Sequence, residues 1–192
     1  MKTPCIILAG LLAGFIQMAL LGATPALAER ESLPTISLPI PPGTADREYL
    51  GLKGVPGSVF TIADIDADVL LIMLFSMYCP LCQEKAPAIN ALFAKLKTAT
   101  RPGLKVVMIG LGANNSELEV AHFRQEYKIQ FPLFADHDKK IYTLLGGKAT
   151  PDFIGCKRDD NKQLRVILRQ SGGFVDPDKF FMNVFKESGL PQ

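Results

Sequence analysis

Histidine is scarce in this chain of 192 residues, and tryptophan is missing altogether. The two histidines, His122 and His137, stand apart from each other and from the four cysteines, Cys5, Cys79, Cys82 and Cys156. A structural zinc site takes four ligands, commonly from two paired clusters, and no second pair at ligand spacing accompanies Cys79 and Cys82. Four cysteines are also too sparse for a small fold held together by disulfides. Charge is nearly balanced, with 21 lysines and arginines against 19 aspartates and glutamates. Without a basic stripe, nucleic-acid binding has no electrostatic basis. Repeats and low-complexity tracts are absent, and nearly half of the residues are apolar, which excludes a disordered chain.

Part of that apolar content belongs to the first 28 residues. Lys2 gives a short positive start, and Ile6 to Leu21 is a long apolar run broken mainly by Gln17. Pro25 and then Ala26-Leu27-Ala28 follow, an A-x-A pattern before the charged Glu29-Arg30-Glu31. This is the layout of an export signal, with small residues for a peptidase. The run is also nearly long enough to span a bilayer, so an uncleaved anchor is the alternative. Without residues 1–28 the chain loses Lys2, and its formal charge falls from +2 to +1. In either case the expected location is outside the cytoplasm, in the periplasm or cell envelope, where disulfide chemistry persists. A retained segment would anchor the body in the inner membrane.

Residues 29–57 are rich in proline and glycine. They read as an extended lead-in with short edge strands near Glu48 to Leu52 and Ser58 to Ile62. The domain proper is expected over 58–192. Val69 to Phe75 is a continuous apolar run bounded by polar residues, the pattern of a strand buried on both faces. Pro80 opens a helix, because proline at the first helical position gives up an N–H that would be unpaired anyway. Cys82, Ala86, Ile89, Phe93 and Leu96 recur on one face of it, and Pro87 lies inside it. Leu104 to Leu111 is a second buried strand, and Ser116 and Glu119 form a capping box for a helix to about Tyr127. A short strand at Phe131 to Phe134, a short helix from Lys139 to Leu145, and strands from Asp152 and over Leu164 to Gln170 follow. Asp176-Pro177 caps a closing helix. This order is solved by a layered α/β arrangement with a central sheet and helices on its faces.

The chemistry sits at Tyr78-Cys79-Pro80-Leu81-Cys82, between the first buried strand and its helix. Two cysteines separated by two residues, at a strand-to-helix junction, can act as a reversible dithiol/disulfide pair, the plainer reading being a structural disulfide. With Cys79 at the helix cap, its sulfur would face free N–H groups and the positive end of the helix dipole, which lowers its pKa below the free thiol's. Cys82, one turn on, would be shielded. Cys79 is then the attacking thiol and Cys82 the resolving one. No cation lies in the Pro80-Leu81 pair, and Gln83 rather than histidine follows Cys82, which excludes a c-type haem attachment. Cys156 reads as a buried, inert thiol, and the two histidines as surface residues.

On these pieces the chain resembles the thioredoxin superfamily, and within it the TlpA/ResA-like envelope thiol-disulfide oxidoreductases. The matching features are the strand-CxxC-helix unit, Pro87, Phe131-Pro132-Leu133, Gly146 to Pro151 before a strand, and Gly172-Gly173-Phe174. The resemblance implies a thioredoxin-like fold, a central mixed β-sheet flanked by helices, here with an N-terminal β extension. It implies a thiol-disulfide oxidoreductase whose only redox group is the Cys79–Cys82 pair, with no metal or other cofactor. Its partners would be protein thiol or disulfide clients and an upstream redox donor. It also implies that the Thr150–Pro151 bond is cis and faces the cysteines, so that Tyr78, Pro80, Leu81, Thr150 and Pro151 line the client groove. The chain departs from the family at three places. Tyr78 replaces the usual tryptophan, Met73 stands where thioredoxins carry a buried aspartate, and Lys85 stands where many members are acidic. Glu84, Lys85 and Asp152 are the remaining candidates for proton transfer or tuning. A metal carrier or assembly factor on the same fold, and a thiol peroxidase, are the alternative functions.

Overall fold

Residues 31–190 are described by a computed structural model. The export segment, with Cys5 and the Ala26-Leu27-Ala28 pattern, lies outside the described residues. In chain order the elements are β1 (Ser37–Pro39), α1 (Thr44–Leu50), β2 (Val59–Thr61), β3 (Val69–Phe75), α2 (Pro80–Ala99), β4 (Val106–Ala113), α3 (Glu117–Glu126), β5 (Leu133–Asp136), α4 (Lys140–Leu144), β6 (Asp152–Arg158), β7 (Leu164–Ser171) and α5 (Pro177–Ser188). Five of the strands form one mixed sheet in the order β5-β4-β3-β6-β7. β3, β4 and β5 run parallel, and β6 is antiparallel to both β3 and β7. This is the thioredoxin-like α/β architecture expected from the sequence.

The two apolar runs occupy the centre because both faces of the sheet are covered. Every residue of β3 and of β4 is buried. Side chains alternate across a strand, so Val69, Leu71, Met73 and Phe75 join a layer with the apolar sides of α2, α3 and α5. Leu70, Ile72 and Leu74 point the other way, into a layer closed by residues 36–40, Leu50, Phe60, Ile62 and Leu145. At about 25 cal/mol per Å² of apolar surface removed from water, these two layers are the main stabilising contribution to the fold.

The lead-in differs from its sequence reading. Only Val59–Thr61 is a strand near the expected place, and it pairs antiparallel with Ser37–Pro39 in a separate two-stranded sheet. The stretch around Glu48, expected to be extended, is helix α1. Gly51 ends that helix in the left-handed conformation, at φ 71°, and its N–H reaches back to the Arg47 and Glu48 carbonyls. Tertiary contacts stabilise so short a helix where intrinsic propensity would not. Leu50 is fully buried, the Tyr49 ring meets Phe93 edge-on at 5.9 Å, and Asp46 accepts a bidentate pair from Arg124 at 2.6 and 2.8 Å. The Tyr49 hydroxyl accepts from the Met108 N–H at 2.8 Å. Met108 precedes Gly110, where the pairing of β4 with β5 begins, so α1 satisfies a strand edge that β5 does not reach.

Candidate active site

β3 ends at Phe75, and the chain turns through Ser76, Met77 and Tyr78 into α2. Three side chains hold that turn. Asn115, fully buried, accepts the Met77 N–H on its Oδ1 at 2.8 Å, and Gln83 Nε2 donates to the Met77 carbonyl at 2.7 Å. The Tyr78 hydroxyl donates to Glu119, the same carboxylate that caps α3 through the Ser116 N–H at 2.7 Å. Glycine at position 112 leaves room for Asn115, since a Cβ there would lie 3.2 Å from its Oδ1 and 2.8 Å from Val120. Tyr78 itself is 61% exposed. Sequence reading missed Asn115, Gln83 and the partnership of Glu119 with Tyr78. The capping box at Ser116 was legible, but its second use was not.

Cys79 is the N-cap of α2, with Pro80 at the first helical position. The Cys82 N–H donates to the Cys79 sulfur at 3.3 Å. The Cys79 thiol in turn donates to the Thr150 carbonyl at 3.0 Å. Partial burial pushes this thiol's pKa up. Donors from the Thr150 and Cys82 side chains and from the Cys82 and Leu81 N–H groups outweigh that, and Cys79 is held below the ordinary thiol value. Cys82 lies one turn inside, with no exposed surface, in the apolar layer that contains Met73 and Phe75. Burial, aided by the hydrogen bond and charge of Cys79, pushes it up to about 12. Both thiols are free. A partly exposed thiol with a lowered pKa and a shielded one with a raised pKa are thus separated by a single turn of helix.

Opposite the pair stands the Thr150–Pro151 peptide, which is cis. The Pro151 carbonyl accepts from Gly172 at 2.9 Å and Gly173 at 3.1 Å. Gly173 has φ +79°, and a Cβ there would sit 3.2 Å from Pro151 and 3.7 Å from Lys85 Cγ, so only glycine fits this corner without strain.

The structure therefore brings Cys79, Cys82, Thr150, Pro151 and Lys85 into one region, with Pro80 exposed and Leu81 half-buried at the helix start. Glu84 is exposed and pairs with Lys85 at 2.9 Å. Asp152 is elsewhere. It follows Pro151 on β6, where Phe153 faces the Cys82 layer, and alternation turns Asp152 to the other face of the sheet. Direct tuning of either thiol by this carboxylate is not what the geometry provides. Met73 is fully buried in the same apolar layer as Cys82. Cys156 is buried in the opposite layer, and burial pushes its thiol up to about 12. Both histidines are exposed, and among the described residues no three His, Cys, Asp or Glu side chains gather as metal ligands.

Fold and site together define a thioredoxin-like protein with a dithiol at a helix N-terminus. The chain belongs to the AhpC/TSA family, whose model matches residues 44–179. Among curated proteins it is 22% identical over 125 residues to the thiol-disulfide oxidoreductase ResA of Halalkalibacterium halodurans, a match that covers 65% of this chain and 66% of that one. It is 26% identical over 136 residues to ResA of Bacillus cereus, over 66% of this chain and 76% of the relative. Among solved structures, a thiol:disulfide interchange protein of Chlorobium tepidum aligns with a TM-score of 0.59 at 14% identity, over 84% of this chain and 99% of that one. A secreted disulfide oxidoreductase of Mycobacterium tuberculosis aligns with a TM-score of 0.53 at 16% identity, over 68% and 90%. At these identities the solved structures speak for the fold.

Proposed function

We propose that the protein is an exported thiol-disulfide oxidoreductase that reduces or exchanges disulfides in protein clients of the cell envelope. The observation that carries the reading is the placement of the two thiols: Cys79 caps the helix and accepts the Cys82 N–H on its sulfur at 3.3 Å, and Cys82 is fully buried one turn away. The AhpC/TSA match and the ResA relatives support the same chemistry. The Cys79 thiolate attacks one sulfur of a client disulfide, forming a mixed disulfide and releasing the other client sulfur as a thiolate, which takes up a proton. Cys82 then gives up its proton and attacks the Cys79 sulfur. The second client thiolate departs, and the client has gained the two electrons that the pair lost in forming the Cys79–Cys82 disulfide. An upstream donor restores the dithiol, and no other cofactor takes part. Thr150 and Pro151, facing the thiols, present backbone to an extended client segment. Export rests on the sequence of residues 1–28, and membrane attachment follows only if that segment is retained.

A redox titration with counting of alkylated thiols by mass spectrometry tests the reading. Cys79 and Cys82 should interconvert together as a two-electron couple, with Cys156 silent. A pair that never forms a disulfide would sink it. The midpoint potential of the same titration separates reductant from oxidant.

A further inference from the structure

We propose that Asp152 is a positioning residue for disulfide exchange: its carboxylate ties the loop that carries Thr150 and Pro151 to the end of β7, and so sets the wall facing Cys79. This rests on the oxidoreductase reading above. Asp152 is only 4% exposed. Its Oδ2 accepts the Lys148 N–H at 3.3 Å, and its Oδ1 accepts from the Ser171 hydroxyl at 3.0 Å. Asp152 and Ser171 are direct partners across the β6–β7 ladder, so their side chains share the face away from the cysteines. The carboxylate thus grips one residue two positions before Thr150 and another directly before Gly172. Gly172 and Gly173 in turn donate their backbone N–H groups to the Pro151 carbonyl. The wall is thus tied to the end of β7 twice, by backbone at Pro151 and by the Asp152 side chain.

The loop needs such a clamp. It begins with Gly146 and Gly147, and the hydroxyl of Tyr142 reaches its Ala149 carbonyl only at 3.5 Å. A buried carboxylate held by two neutral donors is a costly way to fill space, since a neutral side chain of the same size would avoid the desolvation cost. Hydrogen bonds to two different segments, Lys148 before the wall and Ser171 at the end of β7, are what the carboxylate provides instead. The Thr150 carbonyl lies 3.0 Å from the Cys79 sulfur, so a shift of a few tenths of an ångström in this loop changes the path of an incoming chain. A small disulfide that reaches Cys79 without using the Thr150 backbone should be indifferent to it.

The test compares a disulfide-linked extended peptide with a small symmetrical aromatic disulfide as substrates of the full-length protein. Asp152→Ala should lower the second-order rate constant for the peptide on the order of tenfold and for the small disulfide by less than about twofold. Asp152→Asn, which keeps one acceptor oxygen, should recover part of the peptide rate. Ser171→Ala should show the same selectivity with a smaller loss, and it decides the matter if Asp152→Ala does not fold. Equal losses on both substrates, or no loss in Ser171→Ala and Asp152→Asn, overturn the positioning role. A wild-type protein that reduces neither substrate overturns the oxidoreductase reading instead.

Discussion

Raising the pH should separate the two chemical steps, because the two thiols lie on opposite sides of the ordinary value. Only a thiolate attacks. The first step therefore levels off once the pH passes the lowered value of Cys79, while the second keeps gaining about tenfold per unit toward the value of Cys82, about 12. A thiol titrating at about 12 is ionised in roughly one molecule in 100,000 at pH 7. Burial is the main cause, and the Cys79 hydrogen bond and charge add to it. Those two additions vanish once Cys79 is tied up in a mixed disulfide, but the burial stays. Resolution is then faster than the dithiol value suggests, and it keeps its steep pH dependence. Single turnovers with a disulfide-linked peptide, quenched with an alkylating acid and resolved by mass, would follow the mixed disulfide directly. It should accumulate at pH 6 to 7, and its decay should accelerate on the order of a hundredfold between pH 7 and 9. A decay rate flat across that range would refute the reasoning. It would mean that a proton acceptor reaches Cys82 despite its burial.

Cys82→Ser should leave the mixed disulfide trapped on Cys79, detectable as a covalent adduct on non-reducing gels; an adduct through Cys156 would reverse the assignment of roles. Asn115→Ala removes the acceptor of the part-buried Met77 N–H, and it should cost about 1 kcal/mol in denaturant unfolding while speeding amide exchange at Met77. Tyr49→Phe leaves the Met108 N–H without its 2.8 Å acceptor, and a loss of about 1–3 kcal/mol in the same assay is expected; an unchanged midpoint would show that α1 does not protect the β4 edge.

The frame of the molecule was legible because its signals are local. β3 and β4 are uninterrupted apolar runs, Pro80 and Asp176-Pro177 mark helix starts, and the Ser116–Glu119 box forms as its spacing requires. The misread parts depend on contacts distant in sequence. Helix α1 has seven residues, and its stability comes from Phe93, Arg124 and Met108, which no window around Glu48 contains. Within the site, Cys79 and Cys82 were evident from spacing, and the wall at Pro151 from resemblance. Asn115 was not, because a buried asparagine after a glycine-rich strand has no periodicity to betray it. The side on which Asp152 falls was available in principle. Counting alternately from Phe153, which belongs to the Cys82 layer, puts Asp152 on the opposite face.

The direction of electron flow turns on how strongly the reduced pair is favoured, and the helix start supplies the relevant terms. Stabilising the Cys79 thiolate favours the dithiol and makes the disulfide a stronger oxidant. Here that stabilisation comes from neutral donors, namely hydroxyl, thiol and backbone N–H groups. Pro80 and Leu81 contribute no cation between the cysteines. Lys85 comes close to the Pro151 corner through Gly173, but its ammonium is engaged by Glu84 at 2.9 Å. Cys82, buried and protonated at neutral pH, adds no thiolate stabilisation of its own. With neutral donors alone at the thiolate, the disulfide is expected to be a weaker oxidant than one whose thiolate faces a cation, and Leu81→Arg or Leu81→Lys should raise the midpoint potential.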